Sequence, residues 1–350
     1  MEDRIGMPPP PPPGVEPVRG PRTLRWVIVL GLLLALVIGS NWIPLPIFYA
    51  YLPGPVRDVE ERVEVGDAKT YSSEGKLYLT TVNVDIDVTL RDWIEAIFDP
   101  ERTVVLKDDV TGGGSLEDLQ REQEIQMQES KQHAEEVALA ALGIAEPTGN
   151  GARVSGTVDG APADGVIRRG DVIVSVDGEK VSTTCDVGRA VDAHDIGEEV
   201  TFALRRAGEV ETVILETARN PQDHNAPYVG VFMKEIDYKF KPGFEVDFET
   251  GEIAGPSAGL MFALALYDRL TPDDLTGGRD IAGTGTVACD GGVGPIGGIE
   301  QKVAGAEAHG AVIFLAPAGN AAAAEEVADD IEVVSVSTFD DAVRYLEDLQ

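Results

Sequence analysis

Two side chains have types and surroundings suited to acyl-transfer chemistry. One is Ser257, in Gly255-Pro256-Ser257-Ala258-Gly259-Leu260-Met261, and the other is Lys302, which ends Pro295-Ile296-Gly297-Gly298-Ile299-Glu300-Gln301-Lys302. A serine hydroxyl attacks a carbonyl only when a neighbouring base takes its proton. A serine at a Gly-Pro turn that opens a helix also makes a good N-cap, its hydroxyl accepting a backbone N–H. Capping asks nothing of the residues that follow, whereas Ala258 and Gly259 keep the surroundings small enough for another backbone to approach the hydroxyl. The N–H groups of the first helical turn lack intrahelical acceptors and are candidate donors to an oxyanion.

Lys302 is the candidate base. On a helical projection from Ile299, the apolar line holds Ile299, Val303 and Ala306, with Lys302 at its edge and Glu300 and Glu307 on the other side. Three and four residues from Lys302 stand Ile299, Gly298, Gly305 and Ala306, so no carboxylate is in helical reach. A free lysine, with a pKa near 10.4, is neutral about one time in 2,500 at pH 7. Burial among apolar neighbours lowers that value, and a fall to about 8 costs roughly 3 kcal/mol of disfavoured charge. The plain alternative is a surface lysine whose stem covers apolar atoms while its head stays in water.

These residues need a scaffold. From residue 225 onward the pattern predicts an α/β domain: a strand at Tyr228 to Met233, a largely buried helix at Ser257 to Leu270 and a glycine-rich hairpin at Gly283 to Val293. A helix from Ile299 to His309 follows, then a strand at Ala311 to Ala316, a helix at Ala321 to Ala328, a strand at Ile331 to Val336 and a helix at Phe339 to Leu349. Residues 144–218 read differently, as short strands and glycine turns, with Gly160-Ala161-Pro162-Ala163, Gly170-Asp171-Val172-Ile173 and an Asp177-Gly178 hairpin signal.

On these residues the serine and lysine segments together resemble the proteolytic domain of Lon proteases, over about residues 225–350. That resemblance implies a Ser-Lys dyad, with Ser257 the nucleophile, Lys302 the base and Thr284, in the Thr284-Gly285 turn, beside the lysine. Two departures stand out: Ala254 occupies a position where ATP-dependent members commonly carry Asp, and the upstream His-x-His is missing. Residues 144–218 resemble the PDZ domains attached to bacterial proteases. They imply binding of an extended peptide or chain terminus as an added strand, with Gly149, Gly151 and Val154 the candidate peptide-binding positions. The bland reading of that segment is a packing module that binds nothing.

The rest of the chain reads as apparatus for placing this pair. Residues 1–22 contain the run Pro8 to Pro13 and read as a disordered tail. Residues 23–43 are apolar over a length of helix that spans a bilayer, with Trp26 and Trp42 near the ends. Arg19, Arg22 and Arg25 flank the N-terminal side of the span, Arg25 at its very edge, and the first basic residue beyond it is Arg57, which puts the N-terminus in the cytoplasm and the larger part of the chain outside the cell membrane. A cleaved signal peptide is the alternative. Residues 44–143, with a strand near Lys76 to Val88 and a long helix at Ser115 to Leu142, are expected to form a spacer.

The fold class expected is thus multidomain α+β: a transmembrane helix, a PDZ-like β domain and a Lon-type α/β domain. The layout is similar to membrane-anchored bacterial PDZ–Lon proteases. With 61 acidic and 28 basic residues the net charge is −33, which disfavours nucleic acid as a partner. No G-x-x-x-x-G-K-[ST] loop occurs, so no nucleotide and no cofactor is expected. The partners implied are polypeptide substrates and the membrane, with homo-oligomers compatible with the layout. Cys185 and Cys289 lie far apart in segments assigned to different domains, and neither a disulfide nor a metal site is expected from them.

Two rival readings remain open. Gly255-Pro256-Ser257-Ala258-Gly259 fits G-x-S-x-G, the elbow of α/β-hydrolases, with His309 as the one downstream histidine, although the preceding Asp247 to Glu252 is too polar for the buried strand that elbow needs. A catalytically inactive scaffold that recruits envelope proteins through its PDZ domain is the other.

Overall fold

The computed structural model describes residues 26–31, 39–40, 42–221, 226–251 and 253–349. The expected tail, and residues 32–38 within the expected transmembrane span, lie outside the described residues. Residues 26–31 are helical and exposed. Among the described residues no helix is long and apolar enough to cross a membrane.

The C-terminal α/β unit is built on a five-stranded sheet in the order Arg57–Asp58, Lys76–Leu79, Asp280–Gly283, Ile313–Pro317, Glu332–Val336. All neighbours are parallel except the short edge strand Arg57–Asp58. A parallel sheet is covered on both faces, so its central strands need apolar side chains throughout; every residue of Ile313–Pro317 is buried. The helix Gly259–Leu270 lies on this sheet, with Leu260 through Leu266 all 0% exposed. A helix apolar on every face must be enclosed on every face, and the cover on its far side comes from Leu116–Ala141.

That long helix overturns the expectation of a spacer. Ser115 caps it by accepting from Asp118 N, and its buried positions Met127, Ser130, Ala134, Val137 and Ala138 form a stripe at helical spacing. The stripe shares one core with Leu260, Met261, Leu264 and Phe339. The strand Lys76–Leu79 enters the same core through Leu77 and Leu79, pairing in parallel with Asp280–Gly283, and Val63–Val65 pairs with Val246–Phe248. Residues 57–79 and the helix Leu116–Ala141 therefore complete the C-terminal unit. Their local pattern specifies strands and helices correctly, but it carries no address for the sheet they join.

The remaining part of the N-terminal segment forms a three-stranded sheet in the order Val82–Asp85, Phe48–Pro53, Thr103–Leu106, flanked by the helix Leu90–Ala96. Phe48–Pro53 lies against the helix Ile299–His309 that carries Lys302.

The middle unit is an antiparallel sheet in the order Glu209–Glu216, Glu199–Arg206, Val172–Val176, Ala152–Thr157, Val231–Glu235, with the helix Thr184–Asp192 beside it. Its core gathers Val154, Ile173, Val187, Phe202 and Leu204. A buried ion pair, Arg206 to Asp171 at 2.6 Å, holds Asp171 in place and keeps its carboxyl below the usual range. The strand expected at Tyr228 to Met233 as the start of the last domain occurs at Val231–Glu235 and hydrogen-bonds to Ala152–Thr157 of the middle sheet. Its alternating pattern fits either neighbour, and pairing decides.

Cys185 and Cys289 form a disulfide, with 5.9 Å between their Cα atoms, which corrects the expectation of two unpaired thiols. Distance in sequence is no bar once folding brings the helix Thr184–Asp192 against the hairpin of Thr286–Val287 and Val293–Gly294. The bridge spans 104 residues of sequence and fastens the two units together. Losing a native disulfide typically costs about 2–5 kcal/mol, and a loop this long lies toward the upper end of that range. Replacing both cysteines by serine is expected to lower the unfolding free energy by that amount in urea titrations, and added dithiothreitol is expected to reproduce the loss in wild type but not in the variant.

Candidate active site

Ser257 sits in a 3₁₀ turn, Pro256–Ala258, that leads directly into Gly259–Leu270. The backbone turns in at Gly255, whose φ of 91° favours glycine. Ser257 is not a cap. Its Oγ accepts a hydrogen bond from Lys302 Nζ at 2.8 Å, and Lys302 Nζ also donates to Thr284 Oγ1 at 2.9 Å. Thr284 Oγ1 in turn donates to the Ser257 carbonyl at 3.0 Å, and Gly285 N–H donates to the same carbonyl at 2.8 Å. The three residues expected to cluster do so, from two helices and one strand end.

Lys302 is 3% exposed, and among the described residues no carboxylate forms an ion pair with it. Burial without a counter-charge pushes the amine down to about 7. The neighbours are those read from the sequence: Ile299 at 3% exposure, with Val303 and Ala306 at 0%. Thr284, at 1% exposure, has its hydroxyl committed to both partners, so it fixes where the amine points.

The small residues after Ser257 serve a purpose other than the one expected. A Cβ on Gly259 would lie 2.5 Å from Ser130 Oγ and 3.1 Å from Val287 N, so this glycine admits the long helix and the hairpin behind the nucleophile. Ser130 Oγ donates to the Pro256 carbonyl at 2.9 Å, and His133 Nδ1 lies 3.2 Å from the Val287 carbonyl. Sequence reasoning missed Ser130. Its one signal was a small polar residue in the stripe between Met127 and Ala134. The expectation of free first-turn donors also needs correction, because Gly259 N–H is bonded to Pro256 O and Leu260 N–H to Gly285 O. His309, the base of the rival elbow reading, packs edge-on against Tyr78 with ring centres 4.7 Å apart.

Ser257 and Lys302 open into a cleft of 840 Å³ whose walls include Thr80 to Val84, Thr250, Gly255 and Pro295 to Gly298. Val82–Asp85 is an edge strand, paired only with Phe48–Pro53 among the described residues. One wall of the cleft therefore carries unpaired backbone groups.

Of the peptide-binding positions expected in the middle unit, Gly151 and Val154 lie on backbone that is already hydrogen-bonded. Thr148, Asn150 and Gly151 already spend their N–H groups on Lys239 O, Ile236 O and Ser182 O, and a Cβ on Gly149 would meet Ser182 O at 2.5 Å. Val154 is 1% exposed on a strand paired on both sides. The open edge nearest that site is Val231–Glu235, where Phe232 is 58% exposed. The sequence could not separate these strands, because both alternate in the same way.

Residues 125–217 match the model of the PDZ domain, and residues 232–346 match that of the Lon protease (S16) C-terminal proteolytic domain. The chain thus joins a PDZ domain to a serine-protease domain of the Lon type. Among curated relatives it is 41% identical over 93 residues to Lon protease 1 of Sorangium cellulosum, covering 25% of this chain and 11% of that protein. It is 27% identical over 181 residues to Lon protease 2 of Bacillus subtilis, covering 49% of this chain and 29% of that protein. It is 32% identical over 75 residues to the probable periplasmic serine endoprotease DegP-like of Bartonella henselae, covering 21% of this chain and 15% of that protein. The chain therefore spans less than a third of the length of each of these relatives.

Keeping the amine at about 7 costs the fold about 5 kcal/mol near neutrality. The unfolded chain holds a proton on Lys302 up to the ordinary lysine pKa, whereas the folded chain releases it above about 7. This cost is full below pH 7 and fades as the pH rises toward 10. Lys302→Met is expected to raise the urea midpoint at pH 7, by at least about 2 kcal/mol in unfolding free energy, and the gain is expected to shrink on titration to pH 10.

Proposed function

We propose that the chain is a membrane-anchored, ATP-independent serine endopeptidase that cleaves extracytoplasmic or membrane-proximal polypeptides. The observation that carries this reading is the buried Lys302 amine, without a carboxylate partner among the described residues and 2.8 Å from Ser257 Oγ, at the mouth of a large cleft. In the neutral state Thr284 Oγ1 takes one N–H of the amine, and the amine lone pair accepts the Ser257 proton as Oγ attacks the peptide carbonyl. The Lys302 ammonium then returns that proton to the leaving amine. Neutral Lys302 next deprotonates a water, which attacks the acyl-enzyme ester and frees Ser257. The turn around Ser257 lines the same cleft and is the nearest source of backbone donors for the oxyanion.

The unpaired edge of Val82–Asp85 favours an extended main chain as substrate, added as a strand beside the scissile bond. The PDZ domain supplies a second exposed edge for recruitment, at Val231–Glu235. Without a nucleotide loop in the sequence, substrates must arrive flexible or already unfolded. The anchor reading rests on the apolar residues 23–43 and the arginines before them, and an outward location agrees with a disulfide between the domains, since such bonds persist in oxidising compartments.

Ser257→Ala and Lys302→Ala are expected to reduce cleavage of an unfolded test protein such as casein by at least about 10⁴-fold, with His309→Ala close to wild type. Thr284→Val is expected to retain the fold and lose activity in kcat rather than KM. Wild-type activity is expected to rise with pH, half-maximal near the Lys302 value of about 7. Casein left intact by wild type, together with no labelling of Ser257 by a peptide boronate or fluorophosphonate, would establish the scaffold reading instead. Comparison of extracellular peptides released by wild type and Ser257→Ala cells would identify the substrate.

A further inference from the structure

An apolar surface stands at the point where the chain leaves the expected transmembrane span. Leu90 N–H donates to Ile43 O at 2.9 Å, Leu45 N–H donates to Val88 O at 2.7 Å, and Pro44 bridges to Thr89. These contacts fasten the start of the helix Leu90–Ala96 to the last residues of the apolar run. Around them the side chains of Trp42 (81% exposed), Ile47 (60%), Ile97 (59%) and Phe98 (82%) face solvent, with Ile43 and Trp93 above 40%. Ile47 belongs to the same surface because Lys107 N–H donates to its carbonyl, next to the exposed Leu106.

We propose that this surface lies in the interfacial layer of the membrane, so that the catalytic unit rests on the bilayer through a second, peripheral contact. The inference rests on the anchor reading above. Geometry then leaves little freedom. Seven residues of helix extend about 10 Å, and Leu90 N lies 2.9 Å from the Ile43 carbonyl, so the backbone of Leu90–Ala96 stays within roughly 13 Å of Ile43, the end of the expected span. The headgroup region on each side of the hydrocarbon is roughly 7 Å deep. Tryptophan and phenylalanine beside a membrane end are suited to that layer, where an aromatic ring can meet both acyl chain and water. The charges on the helix are already matched: Arg91 pairs with Glu95 at 2.6 Å, and Arg102 lies 3.0 Å from both Asp92 and Glu95. Contact with the bilayer therefore brings no net charge from these four groups into the interface. The acidic character of the rest of the chain makes a zwitterionic surface the fitting one.

The test uses the three tryptophans, Trp26, Trp42 and Trp93. The full chain is reconstituted into vesicles of phosphatidylcholine, with or without bromine on the acyl chains. The variant W42F/W93F leaves Trp26 to report the anchor, and W26F/W42F leaves Trp93 to report the surface contact. Brominated lipid is expected to quench both, and I97S/F98S is expected to abolish quenching of Trp93 while leaving that of Trp26 intact. Quenched Trp26 with Trp93 blind to bromine and open to acrylamide would overturn the proposal and leave the anchor standing. Trp93 blind to bromine but shielded from acrylamide, with a dimer by sedimentation in detergent, would assign the surface to a second copy of the chain and also overturn it. Trp26 that is itself unquenched would remove the anchor reading and this inference with it.

Discussion

Keeping one amine neutral is the constraint on which the rest depends. An ammonium enclosed by Ile299, Val303 and Ala306, with no carboxylate beside it, is several kcal/mol worse off than in water. A fold can hold such a group only if its surroundings cannot relax around the charge. The enclosing parts here are a parallel sheet, the helices Gly259–Leu270 and Ile299–His309, and a threonine whose hydroxyl is already bonded on both sides. The stability given up at Lys302 is supplied by that core.

Ser257 is held from behind as firmly as Lys302 is held from the side. Ser130 and His133, one turn apart on the long helix, meet Pro256 O and the Val287 carbonyl, and these flank the serine turn and the adjoining hairpin. The hairpin is in turn tied to the PDZ domain through Cys289. The middle unit and the serine turn thus share a mechanical element: Gly285 bonds to Ser257 at one end of the segment, and Cys289, four residues on, bonds covalently to the helix Thr184–Asp192.

How far the sequence can be read varies with the kind of interaction. Lys302 was legible because an absence of acids at helical spacing is a local fact. The buried helix after Ser257 was legible because its residues are apolar on every side. Thr284 came through resemblance, since nothing local marks a threonine that touches a lysine on another element. What escaped were partnerships between distant parts: the pairing of Cys185 with Cys289, the insertion of Lys76–Leu79 into the C-terminal sheet, and the pairing of Val231–Glu235 with the middle sheet. Each depends on which strand or helix arrives beside another, and alternating apolar residues satisfy several arrangements equally.

The order of strands in the main sheet has a consequence for timing. Thr80 bonds to Gly283 across 203 residues of chain, and two further strands, Ile313–Pro317 and Glu332–Val336, must arrive before the sheet is covered. Contacts of such long range form late, after the loops between them have been closed. A chain still emerging from the ribosome therefore carries Ser257 before it has the dry, walled-in setting that lowers the pKa of Lys302. The hydrogen bond between Lys302 and Ser257, on which the proposed dyad rests, is therefore assembled only in a finished molecule.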